Sequence, residues 1–98
     1  MGEERILTLH PEGKSGVNIS RAKYDVIRVA ILSAIDARGE IAFGDLAAAV
    51  AAGLAEPFAG SIGWYVTTVK LDLEARQEIE RVPGRGPQRL RRVGASRE

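Results

Sequence analysis

The sequence has no cysteine, one histidine (His10) and three lysines in 98 residues, and its aromatic content is only 5%. Without cysteine there can be no disulfide. A structural zinc site, which takes four Cys or His ligands, has no donor set. The lack of disulfides fits a reducing, cytoplasmic setting. No apolar run approaches the about 18–20 residues that cross a bilayer. Met1 to Arg5 leads into a short alternating stretch and not into the hydrophobic region of a signal peptide. These absences predict a chain with no metal, no cofactor and no membrane span. Enzymatic motifs are equally thin. Gly13-Lys14-Ser15 has the ending of a phosphate-binding loop, but Thr8 stands where that loop needs its first glycine. His10 and Glu12 have no nucleophile or oxyanion donors converging on them. Asn18-Ile19-Ser20 spells a glycosylation acceptor, which is irrelevant without secretion. The expectation is a protein that is not an enzyme.

What is present is an ordinary globular composition, 45% hydrophobic and 28% charged. A chain of this length buries about 60–70% of its unfolded surface, enough for one domain with a core. Eleven arginines against 3 lysines, with 14 alanines, suggest a GC-rich bacterial source. The net charge of +1 conceals a split. Residues 1–80 carry 8 basic and 12 acidic side chains, a net of −4, whereas residues 81–98 carry 6 arginines against Glu98, a net of +5.

Hydrophobic periodicity supplies the elements. Arg5 to His10 alternates and predicts a short strand or extended arm, followed by a loop rich in Pro, Gly and Ser. Ser20 suits an N-cap for a helix over Arg21 to Arg38 that Gly39 ends. Tyr24, Ile27, Ile31, Ala34 and Ile35 form its inward stripe, which Val26 and Val29 are expected to widen. Glu40 to Phe43 predicts a brief strand, and Asp45 to Ala52 a short helix with Leu46 and Val50 inward. Leu54 and Phe58 read as plugs in the connection 53–60. A third helix over Ser61 to Gln77 turns Ile62, Val66, Val69 and Leu73 to the core. Glu78 to Val93 predicts a hairpin turning at Pro83-Gly84, with Val82 facing Pro87 and Ile79 facing Leu90. That register sets Glu80 against Arg89 and Glu78 against Arg91, and leaves Arg81, Arg85, Arg92 and Arg97 without partners. Residues 94–98 are expected to fray.

The order strand, helix, strand, helix, helix, hairpin resembles a winged helix-turn-helix domain over about residues 20–93. The wording from Val66 to Val82, with Leu73-Glu74 closing the helix and Ile79-Glu80-Arg81 opening the strand, is similar to the recognition helix and first wing strand of bacterial winged-helix regulators. His10-Pro11, Tyr24, Arg28, Gly63-Trp64 and the Leu71-Asp72-Leu73-Glu74-Ala75 block also resemble a small uncharacterised bacterial family over roughly residues 10–93. The chain departs from the regulators in three places. About eight residues part the second and third helices, Gln77 takes the place of a helix-ending glycine, and Leu71 occupies an outward site that is commonly polar.

The resemblance implies one α+β winged-helix domain spanning residues 1–98, with a three-helix core and a small antiparallel sheet that the C-terminal hairpin closes. It implies double-stranded DNA as partner, met by helix 61–77 and wing 79–93. Thr67, Thr68 and Lys70 would supply helix contacts, and Arg85 at the glycine-flanked wing tip a backbone or minor-groove contact. Charge argues the other way: residues 31–80 hold 3 basic and 8 acidic side chains, the reverse of a DNA-facing surface. The alternative is a protein-interaction or dimerisation module on the same scaffold. There Trp64 and Leu71, roughly 20° apart on the outer face of the third helix, would touch a homodimer mate or a protein partner.

Overall fold

The computed structural model describes residues 3–14 and 16–94. A strand β1 (Arg5–Leu7) pairs antiparallel with β2 (Asn18–Ser20), Ile6 lying opposite Ile19. The first is the expected arm. The second was not foreseen, because three residues are too few to carry a period. Helix α1 (Arg21–Arg38) follows with the expected bounds: Ser20 caps it by accepting a bond from the Lys23 amide, and Gly39 closes it at a φ of 80°. Next come β3 (Glu40–Ala42), α2 (Phe43–Gly53), α3 (Ile62–Ala75), β4 (Ile79–Arg81) and β5 (Arg89–Arg92). The three helices pack on one another, and the second sheet runs β3-β5-β4, all antiparallel. The result is an α+β fold with two small sheets.

The core forms where the stripes predicted. Ile27, Ile31 and Ile35 of α1 meet Leu46 and Val50 of α2, and Val66, Val69 and Leu73 of α3. Ile41, Ile79 and Leu90 seal it from the sheet side. Val26 and Val29 are corrections. They are 47% and 58% exposed, because at 100° per residue they lie about 140° and 160° round the helix from Ile31.

Helix α3 ends in two paired bonds, from the Gln77 amide to the Glu74 carbonyl at 3.1 Å and from the Glu78 amide to the Leu73 carbonyl at 2.9 Å. This Schellman closure needs a left-handed residue at its centre, and Gln77 takes it at a φ of 62° without being glycine. The C-terminal hairpin is present, but its register is a correction. Ile79 faces Arg92, Glu80 faces Arg91 and Arg81 faces Leu90. The shift from expectation is two residues, which keeps every side chain on its predicted face. Its cause is the turn: the Val82 amide bonds the Arg89 carbonyl, so the connection is a longer loop with Gly84 and Gly86 at positive φ, not a tight Pro-Gly turn. From Ala95 on, the tail expected to fray lies outside the described residues, as do Arg97 and Ser15.

Candidate functional site

Four surfaces bear on function: the outer face of α3, the arm that crosses it, the β4-β5 hairpin and the open side of α1.

The outer face of α3 is occupied along its C-terminal half. After β1 the chain turns across the helix. The Thr8 amide bonds the Val17 carbonyl at 2.9 Å, and the Val17 amide returns to the Thr8 hydroxyl at 2.9 Å. Gly16 is fixed by this crossing, since a Cβ there would stand 1.7 Å from the Thr8 carbonyl oxygen. Thr68 and Leu71 lie under the strap, lining a hollow of about 90 Å³ with Thr8, Leu9 and Val17. The strap is pinned by Asp72, which is fully buried and accepts from the Leu9 amide at 2.8 Å, from the Tyr24 hydroxyl and from Arg76 Nε at 2.9 Å. Burial and that hydrogen bond push the Tyr24 phenol up to about 12. The bond to Asp72 likewise raises the Arg76 guanidinium.

Of the four expected DNA contacts, only two stand open. Thr67 and Arg85 are exposed, and Thr68 is half-covered. Lys70 is 3% exposed, its ammonium 2.7 Å from Glu74 and 4.8 Å from the Phe43 ring centre. It braces α3 against α2 and is out of reach of a phosphate. The two residues of the alternative separate as well. Leu71 is under the strap, while Trp64 is 46% exposed and rests edge-on against Tyr65 at 4.9 Å between ring centres. Tyr65 in turn meets Phe58 at 5.1 Å, which makes Phe58 the plug its position predicted.

The basic hairpin is largely neutralised, though by other partners than expected. Arg91 pairs with Glu80 at 2.7 Å, and Arg89 with Glu40 at 2.6 Å. Glu78 turns instead to Arg28 on α1. Two arginines expected to be free are also paired, Arg81 with Glu74 at 3.2 Å and Arg92 with Asp36 at 3.2 Å. Arg85 is the one arginine of residues 81–94 with no ion pair among the described residues. Sequence reasoning missed Glu40, Glu74 and Asp36 because each lies outside the hairpin that carries the arginine it meets.

A model of a family of unknown function, DUF6958, matches residues 5–90. The chain belongs to that family. The match spans the arm, the helices and the sheet up to Leu90, so the strap over α3 falls within the family region. No curated protein and no solved structure matches the chain. Among the described residues of this DUF6958 chain, no three His, Cys, Asp or Glu side chains gather as metal ligands, and no helix is long and apolar enough to cross a membrane.

The remaining surface is one the sequence reading did not find. Between α1 and α2 runs an apolar groove of about 620 Å³, floored by Ala30, Ala34, Ala49 and Gly53 and rimmed by Val26 and Val29. The signal was available: Ala22, Val26, Val29 and Ser33 recur at 4-3-4 spacing on the side of α1 opposite its core stripe.

Proposed function

We propose that this chain is a protein-interaction module built on a winged-helix scaffold. The helix and strand order from α1 to β5, with its β3-β5-β4 sheet, supports the scaffold. One observation carries the function: the fold pairs the arginines of its hairpin strands and leaves apolar side chains bare. Arg81, Arg89, Arg91 and Arg92 all sit on carboxylates, and Lys70 is buried. Val26, Val29 and Trp64 are each 46–58% exposed. A nucleic-acid surface has the opposite economy, with unpaired cations facing outward. Exposed apolar and aromatic side chains set among polar neighbours are what a protein interface uses.

Double-stranded DNA is the second reading, and it keeps Thr67 and Arg85. Anisotropy of a labelled mixed-sequence duplex, titrated from low to physiological salt, separates the two. The interaction reading expects weak binding with a slope of log K against log salt no steeper than about −0.9, one phosphate for Arg85. Tight binding with a slope near −3.6, about four phosphates, or enrichment of one sequence from random duplexes, would return the chain to the DNA reading.

A further inference from the structure

We propose that a hollow between the start of α1 and the end of α3 binds the phosphoryl group of a small phosphate monoester. The site goes beyond the interaction reading above and does not depend on it.

Local structure assembles the hollow. Arg21, Tyr24, Asp25 and Arg28 recur at i, i+3, i+4 and i+7, one face of α1. Arg76 is the C-cap of α3, and the left-handed Gln77 after it turns Glu78 toward Arg28. With Ile6 of β1 these side chains line about 250 Å³ of mainly polar space. That is just below the about 300–1,000 Å³ of sites that enclose a drug-sized ligand, so it takes a headgroup and leaves the carrier in solvent.

Three guanidiniums from two helices meet there, with side chains 45% exposed at Arg21, 36% at Arg28 and 35% at Arg76. Arg28 and Arg76 both stand close enough to the Tyr24 hydroxyl to favour its ionised form, against the larger effects of burial and Asp72. Each guanidinium is steadied by a carboxylate that engages only part of it. Arg76 gives Nε to Asp72 and Arg28 gives Nη2 to Glu78. Both terminal nitrogens of Arg76, and Nε and Nη1 of Arg28, have no hydrogen bond among the described residues. Arg21 gives Nε to Asp25 and Nη1 to Glu4, and keeps Nη2. A carboxylate that fixes one side of a guanidinium holds the rest of its donors ready for a second oxyanion.

The acidic neighbours set the strength. Asp25 and Glu78 line the hollow against the three arginines, and Asp72 beneath evens the count. Asp72 is fully buried and already engaged by three donors, the Leu9 amide, the Tyr24 hydroxyl and Arg76. Recognition is therefore by N–H groups at short range and not by a long-range field, and the affinity is modest. Donors arriving on three side chains match the three terminal oxygens of a phosphoryl group. A carboxylate offers two, in one plane.

Inorganic phosphate and glycerol phosphate, each titrated into the isotope-labelled full chain at constant ionic strength, should shift the Tyr24, Arg28, Arg76 and Gln77 amides together. Saturation should give a dissociation constant of about 1 mM or tighter. Sulfate, also tetrahedral, should act likewise, and acetate should bind about tenfold more weakly. Arg28→Gln should weaken phosphate about tenfold, and Arg28→Lys, which keeps the charge and loses the planar fork, should recover only part of that. Arg85→Gln removes the same charge at the exposed wing tip and should change nothing. If Arg28→Gln fails to fold, Arg21→Gln, at the most exposed of the three, should show a loss of about threefold or more. No saturation by about 10 mM, tenfold above that constant, overturns the site. So does an equal loss in Arg28→Gln and Arg85→Gln, or acetate binding as tightly as phosphate. Inorganic phosphate binding while glycerol phosphate is excluded overturns the monoester and makes the free ion the ligand.

Discussion

Tyr24 and Asp72 are 48 positions apart in sequence and meet in the interior, where their bond ties α1 to α3 beneath the strap. Tyr24 is 4% exposed and its hydroxyl faces a carboxylate, so its ionised form loses hydration and gains a like charge. Its pKa accordingly rises from 10.0 to about 12. In the unfolded chain it titrates near 10. The folded state holds the proton more tightly, so the stabilisation is complete below about pH 10 and is lost as pH climbs from about 10 to about 12. Thermal melts of the protein and of Tyr24→Phe should therefore differ in two ways. At pH 7 the variant should lose about 1.5–3 kcal/mol, the range for a hydrogen bond to a charged acceptor. Between pH 10 and 12 the gap should close, because the wild-type phenol is then giving up its proton. Equal melts at pH 7, or a gap that stays constant through that window, would show that the Tyr24–Asp72 bond contributes nothing.

At the scale of the element, the strap between β1 and β2 sets what α3 can do, and it was the least legible part of the sequence. The helices were readable because their apolar stripes repeat at the helical period over 11 to 18 residues. Tyr24, Ile27, Leu46, Val66 and Leu73 all landed inside. The hairpin faces were readable because parity survives a shift of two, whereas the register depended on a turn type that the dipeptide Pro83-Gly84 alone did not decide. Lys70 was expected to face DNA and the burial of Asp72 was not foreseen, because what buries them, Phe43 for one and Leu9 with Tyr24 for the other, comes from distant segments that no local pattern predicts. Gly16 offers a handle on the strap. A methyl there would meet the carbonyl oxygen of Thr8 at 1.7 Å and its carbon at 2.5 Å. Both atoms are backbone, so the strap has to move. Gly16→Ala should release it from α3 at a cost of about 1–3 kcal/mol. Amide exchange should accelerate at Thr8, Leu9 and Val17, while Ile31 and Ile35 in the core keep their protection. Unchanged exchange at Thr8 would mean that the crossing is looser than its geometry implies.

Across the whole molecule, the split of −4 over residues 1–80 and +5 over residues 81–98 is resolved by contact between the two parts. Glu40, Glu74, Glu80 and Asp36 belong to the acidic part and each holds an arginine of the basic one. These pairs are partly exposed, and each contributes only about 0–1 kcal/mol to stability, so their main consequence is for the field the sheet presents outward. Arginines held by carboxylates present little net charge to a polyanion; released, the same side chains would present a basic strip. The combined change Glu40→Gln and Glu80→Gln frees Arg89 and Arg91 while keeping side-chain size and leaving the core untouched. The double variant should melt within about 2 kcal/mol of the parent, by the sum of two such pairs. Its affinity for mixed-sequence duplex DNA should rise, and the slope of log K against log salt should steepen by up to about 1.8, two further phosphates. A slope identical to the parent's would mean that the two arginines point away from any surface a duplex can reach. A parent already as steep as the variant would mean that phosphate displaces the carboxylates unaided, and that ion pairing does not keep this chain off DNA.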